Sequence, residues 1–463
     1  MPSADPTYDL LVIGAGAAGS TVAFEAAARG ARVALAERWK VGGTCLNAGC
    51  DPTKTLVRSA EVLHLARTAG RFGISVEGVV ADWPAVRARV TGVIDAIRGG
   101  DGDRNVRDAG IDLVKAPARF RTPHEVEADG RLLRAEKIVV AVGARPTVPE
   151  VPGLREAGFV TNVEAVDLPE LPRRLAILGG GVVAVEFAQI FARFGVEVAL
   201  ISRGPLLRGE EPELVLALAE VLRREGVRIE TEARLERVEA IDGAKAIRAR
   251  RGPEAIVCEA DEILLATGRA PALEDLGLDA AGIAHRAEGI VVDAELRTSQ
   301  PHVWAVGDAV AGGLPFTHVA DFQARVVVHN ALSGERPLEA CYDGVPWAIF
   351  TDPELGHVGQ TEAGARAAGF EVKTALVPVR GLARAITSDE LDGVVKLVAE
   401  RTTGRLLGGH VLSARGGELL GEIALAVRLK LPAEAIAHTL HAYPTFSEGV
   451  FWSAFELVKP DGG

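Results

Sequence analysis

An α/β fold carrying two nucleotide-binding units is predicted here, on three observations. The first is an apolar strand, Asp9 to Ile13, running into Gly14-Ala15-Gly16-Ala17-Ala18-Gly19 and an alanine-rich helix that ends near Arg29. The second is a recurrence: Leu175 to Leu178 leads into Gly179-Gly180-Gly181-Val182-Val183-Ala184 and a helix to about Phe194. The third is a shared ending. Ile138 to Pro146 echoes Ile263 to Pro271, an apolar strand and a small-residue turn in each case, with Gly143 matching Gly268. A lone GxGxxG is weak evidence. Strand, glycine turn, helix, strand and acidic residue in that order make the fingerprint of a dinucleotide site. Both units therefore read as Rossmann-like dinucleotide-binding domains.

In the first unit Gly14 makes the turn, Gly16 lets the backbone approach a pyrophosphate, and Gly19 lets helix and strand pack closely. The pyrophosphate is expected at the helix N-terminus. A second strand, Arg32 to Ala36, ends at Glu37, whose carboxylate would accept hydrogen bonds from a ribose diol. In the second unit Gly179, Gly181 and Ala184 take the corresponding places, and a strand runs from Glu197 to Ile201. From Gly19 to Glu37 is 18 residues, and from Ala184 to Ser202 is also 18. Ser202 thus stands where the first unit keeps a carboxylate, with Arg203 beside it and Arg208 shortly after. Arginine pairs bidentately with a 2′-phosphate that a carboxylate would repel, so this unit is expected to prefer NADPH over NADH. The alternative is a merely solvated basic turn.

Between the first helix and the second unit runs Gly42-Gly43-Thr44-Cys45-Leu46-Asn47-Ala48-Gly49-Cys50-Asp51-Pro52-Thr53-Lys54. Pro52 can open a helix from its first position. That places Cys50 near a helix N-terminus, where a thiolate is favoured. Two thiols so close, just past a dinucleotide fingerprint, read as a redox couple that passes electrons. The plainer alternatives are buried small residues or a stabilising disulfide. Zinc would want four ligands, and the remaining cysteines, Cys258 and Cys341, stand alone, so no metal site is assigned.

Composition narrows the partners. A chain of 463 residues holds about three domains at roughly 150 residues each. Its 48% hydrophobic content with only 5% aromatics predicts cores of Ala, Val, Leu and Ile. The formal charge of −12 argues against nucleic acid, and the absence of a basic run argues against an anionic membrane. The short polar start, Met1 to Thr7, leaves no room for a signal peptide, and four cysteines make no secreted framework. A cytoplasmic protein is expected.

Together these residues resemble the class I pyridine-nucleotide disulfide oxidoreductases, among them dihydrolipoamide dehydrogenase, glutathione reductase and mercuric reductase. The resemblance implies an FAD-binding domain over 1–150, an NAD(P) domain over 151–272, a return to the FAD domain over 273–342, and a C-terminal α+β dimerisation domain over 343–463. It further implies that Gly14, Gly16, Gly19, Glu37, Gly143 and Asp308 hold FAD. Asp308 follows the short strand Val303 to Val306. Gly179, Gly181, Ala184, Arg203, Arg208 and Gly268 would hold NADPH. Lys54 would pair near the flavin with Glu186 of the second fingerprint helix. Electrons would pass from NADPH through FAD to a Cys45–Cys50 disulfide, with Cys50 beside the flavin and Cys45 facing substrate. The partner copy of a homodimer would complete the site.

The C-terminal run His441-Ala442-Tyr443-Pro444-Thr445-Phe446-Ser447-Glu448-Gly449 departs from part of the family. Lipoamide and glutathione enzymes have histidine before this Pro-Thr, held by the glutamate five residues on, as acid-base for the substrate thiol. Here the pair is Tyr443 and Glu448. A phenol with a pKa near about 10 is a poor base at neutral pH, and acid-base help is worth about 10²–10⁴ in rate. Dithiol turnover is therefore expected to be poor. His441 could substitute, although a structural role suits it better. Mercuric reductases also have tyrosine at this place, and Ser202 to Arg208 and Phe350-Thr351-Asp352-Pro353 resemble theirs. Reduction of a soft metal ion held by thiolates needs ligand exchange rather than proton abstraction. Tyr443 read alone could equally be a packed interface aromatic. Two features pull the other way: no cysteine follows Cys341 in this sequence, where mercuric reductases carry a metal-receiving pair, and their N-terminal metal-carrying domain is expected to be absent. Asp51 is unusual directly after the second cysteine, and its charge is expected to disfavour the Cys50 thiolate.

Overall fold

The computed structural model describes residues 7–241 and 243–460. The start through Pro6 and the end from Asp461, both used in the sequence reading, lie outside the described residues.

Among the described residues the first sheet has seven strands. Thr7–Ile13 lies within it, parallel to Val33–Ala36 on one side and to Arg131–Val140 on the other. A strand buried on both faces needs a continuous apolar run, and Leu10, Leu11, Val12 and Ile13 supply it. Arg131–Val140 changes partner along its length. Its first half pairs antiparallel with Glu125–Ala128, and its second half pairs parallel with Val303–Ala305. The chain therefore comes back to the first sheet after the second unit has been built. Helix Thr317–Leu332 then packs on Ala17–Ala28, where small alanines allow close approach.

The second unit repeats the arrangement. Arg228–Glu230, Glu197–Ile201, Arg174–Leu178 and Glu262–Leu265 lie side by side, all parallel. An antiparallel meander of Arg234–Ile241, Ala244–Arg251 and Glu254–Ala260 precedes the closing strand. The two closing turns meet: Ala144–Pro146 pairs antiparallel with Arg269–Pro271. Gly143 accepts from the Ala272 N–H, and Gly268 accepts from the Thr147 N–H, so the matched glycines bracket the junction reciprocally.

The C-terminal part is an antiparallel sheet ordered Pro346–Ile349, Glu354–Gly359, Leu406–Ser413, Val394–Glu400, Val372–Pro378. Helices Leu420–Arg428 and Glu448–Val458 pack on it and share its apolar core. The same region exposes Leu425, Leu429, Leu440, Trp452, Phe455 and Val458. Among the described residues no helix is long and apolar enough to cross a membrane.

Candidate active site

Cys45 lies in the short helix Gly43–Ala48, and Cys50 is the first residue of the helix Cys50–Arg67. Pro52 is the third residue of that helix rather than the first. It is tolerated there because first-turn N–H groups have no intrahelical acceptor. The motif is joined to the first glycine turn. Gly42 donates to the Ala15 carbonyl at 2.8 Å, and a Cβ on Gly43 would stand 2.6 Å from the Gly16 Cα. Only glycine permits this approach, and Gly43 also needs its φ of +58°.

Both cysteines are free thiols, partly buried, and they hydrogen-bond to each other. The proton is shared unequally. Cys50 is lowered to about 6, first by the hydrogen bond from Cys45, then by the Thr317 hydroxyl and the Lys54 charge, against burial. Cys45 is pushed up by the same hydrogen bond and by burial. Thr317 Oγ1 lies 3.3 Å from Cys50 Sγ. Asp51 does oppose the Cys50 thiolate, as expected, but it is the weakest of the influences on it. Its own carboxyl is raised by burial, against the pull of Lys54.

Lys54, one helical turn past Cys50, reaches Glu186 at 2.9 and 3.1 Å. Glu186 is buried on the helix Val182–Arg193 and also accepts the Phe350 N–H at 2.8 Å. The Lys54 ammonium sits 4.7 Å from the Phe350 ring centroid. Three segments distant in sequence thus converge on one cation beside the sulfurs.

The two glycine turns make corresponding close contacts. A Cβ on Gly14 would meet the Ala141 carbonyl at 2.4 Å, and one on Gly179 would meet the Ala266 carbonyl at 2.1 Å. At Gly19 it would meet the Gly14 carbonyl at 1.8 Å, whereas the second unit accommodates Ala184, fully buried. Gly16 and Gly181 are the N-caps of their helices, with no side-chain cap and nothing within 4 Å of a built Cβ. Open space before uncapped helix N–H groups suits a pyrophosphate, so the residues present fit two dinucleotides. Glu37 accepts from the Ala15 N–H at 2.6 Å. Ser202 is buried against Gly180 in the corresponding place. Arg203 and Arg208 are exposed, and neither guanidinium has an ion-pair or hydrogen-bond partner among the described residues.

Asp308 follows Val303–Ala305 in the short turn Gly307–Ala309, where burial raises its carboxyl and Arg269 draws it back. Arg269 also feels the Cys50 charge and lies 3.5 Å from Thr44 Oγ1. The sequence pattern marks neither Arg269 nor Thr317 as a site residue. Arg269 directly follows Gly268 in an echo read only for its glycine, and nothing local to Thr317 marks it.

Tyr443 is 76% exposed, and its phenol makes no hydrogen bond among the described residues. Glu448 instead accepts the Thr445 N–H at 3.2 Å. The His441 ring is fully engaged, Nε2 with Glu422 at 3.0 Å and Nδ1 with the Thr439 carbonyl at 2.9 Å. Both ring nitrogens of His441 are thus engaged within the same subunit.

Paired nucleotide turns around a polarised cysteine couple are the parts of a dinucleotide-dependent oxidoreductase. Comparison with known proteins agrees. The profile described as pyridine nucleotide-disulphide oxidoreductase matches residues 8–324. The dimerisation-domain profile of the same group matches residues 345–454. The chain belongs to the pyridine nucleotide-disulphide oxidoreductases, whose cofactors are FAD and NAD(P)H. It is 34% identical to a mercuric reductase of Staphylococcus aureus over 458 residues, covering 98% of this chain and 83% of that one. It is 33% identical to a dihydrolipoyl dehydrogenase of Bacillus subtilis, covering 95% and 94%. A copper(II) complex of the HOCl-induced flavoprotein disulfide reductase RclA from Escherichia coli superimposes with a TM-score of 0.87. That protein is 30% identical, with 98% of this chain and all of that one covered.

Proposed function

We propose that this enzyme transfers electrons from NADPH to a soft, thiolate-bound metal ion, in the manner of a mercuric reductase, as a cytoplasmic homodimer. The FAD unit spans 1–150 and 273–342, the nicotinamide unit 151–272, and the subunit interface 343–463. When bound, FAD supplies a two-electron relay between nicotinamide and sulfur. Cys50 carries the thiolate nearer that relay, and Lys54, steadied by Glu186, offers positive charge beside it. Cys45 keeps its proton and faces substrate. Arg203 and Arg208, both unpaired, are suited to a 2′-phosphate.

The observation that carries the choice of acceptor is the missing base. Tyr443 occupies its place, and His441 has no free ring nitrogen. A dithiol must lose a proton to attack a disulfide, whereas a soft metal ion only exchanges one thiolate for another. The test sets NADPH oxidation by mercuric ion in excess thiol beside dihydrolipoamide oxidation by NAD. Metal-dependent turnover with little dihydrolipoamide activity is expected. Efficient dihydrolipoamide turnover would reverse the assignment and favour the dihydrolipoyl dehydrogenase relatives.

A further inference from the structure

Away from the sulfurs, Glu210, His357 and His410 offer ligand atoms that all lie within 4.8 Å of one another. Glu210 follows the arginine-bearing turn of the second unit. His357 and His410 face each other across paired strands of the C-terminal sheet. His357 Nε2 stands 2.9 Å from the Gly359 carbonyl, so that nitrogen carries a hydrogen. In the neutral ring Nδ1 then keeps its lone pair, yet it faces Glu210 Oε2 at 2.7 Å. A 2.7 Å separation is that of a hydrogen bond or ion pair, so either a proton or a metal ion joins these two atoms. His410 repeats the pattern. Its Nε2 donates to the Gln360 carbonyl at 3.2 Å, while the fully buried Nδ1 has no hydrogen-bond partner.

The surroundings resemble a prepared ligand shell. Metal-bound histidines commonly donate their second ring N–H to a carbonyl or carboxylate, and ligating carboxylates are hydrogen-bonded in turn. Here both imidazoles have such a carbonyl, and Glu210 Oε1 accepts the Trp347 Nε1–H at 2.8 Å. The nearest cation, Lys396, lies opposite His410 in the sheet and is offset by carboxylates. Glu211, Glu213 and Glu362 surround the buried Lys396 ammonium, and Arg366 pairs with Glu362 at the edge.

We propose that Glu210, His357 and His410 bind a divalent transition-metal ion, zinc foremost, that ties the nucleotide-binding unit to the C-terminal sheet. Two imidazoles and a carboxylate form a zinc donor set that leaves a fourth position for water. Calcium and magnesium prefer all-oxygen shells. The competing occupant is a proton, which would make His357 an imidazolium.

The test uses the full-length, FAD-loaded, tag-free Cys45→Ser/Cys50→Ser chain, so that the redox sulfurs hold no metal. After chelator treatment it is given Zn²⁺ alone and desalted, and retained metal and melting temperature are measured. One zinc per chain and a raised melting temperature are expected, because a ligand of the native state stabilises it by mass action. Adding His357→Gln or His410→Gln should weaken retention at least tenfold. Glu210→Gln, which keeps the acceptor for Trp347, should do the same without disturbing the fold. No retained zinc, or equal retention in a folded Glu210→Gln chain, would overturn the proposal and leave the proton in place. The readout needs no turnover, so it stands apart from the proposed reaction.

Discussion

Among single residues, the division of one proton between two sulfurs matters most. Cys45 donates and Cys50 holds charge, with Thr317 and Lys54 on the side of the thiolate and burial against it. Because the Cys50 pKa is depressed, its thiolate persists down to about pH 6 and is lost as pH falls through that value. Ultraviolet titration of thiolate absorbance in the reduced protein should find this midpoint well below that of an ordinary thiol. Cys45→Ala should raise it by removing the hydrogen bond, and Asp51→Asn should lower it by removing an opposing charge. A native midpoint near 9 would contradict the assignment. The local motif marks both cysteines, and the family resemblance marks Lys54, whereas Thr317 is out of reach of either because it arrives from a helix more than 250 residues away.

At the scale of elements, the two glycine turns are the same device built twice, and they differ at the end of the following strand. Glu37 hydrogen-bonds to the first turn, while the second has buried Ser202 and two free arginines. A hydrogen bond to a charged group is worth about 1.5–3 kcal/mol, or roughly one to two powers of ten. Arg203→Ala with Arg208→Ala should therefore raise the KM for NADPH by about 10–10²-fold and leave that for NADH little changed. Steady-state kinetics with both nucleotides checks it, and an equal loss for both would reduce the turn to a solvated one. Its register was legible because the 18-residue spacing is local and is set by one helix and one strand.

For the whole molecule, the C-terminal surface is the open question. Leu440 is 98% exposed, and Trp452, Phe455, Leu425 and Leu429 add to an apolar face that a monomer would leave in water. Its burial in a homodimer would also bring Tyr443 to a second copy. Leu440→Asp should shift the sedimenting species toward monomer and cut turnover while FAD stays bound. An undiminished dimer would move the interface elsewhere.

What the sequence determined by itself was everything carried by short-range pattern: the paired fingerprints, the close spacing of Cys45 and Cys50, and the departure at Tyr443. Tertiary structure decided what depends on convergence. It brought Thr317 to Cys50, engaged both nitrogens of His441, and set His357 against His410 beside Glu210. The physical reason is that turns and helix starts are governed by neighbours along the chain. Buried polar groups must instead find partners wherever the packed sheets deliver them.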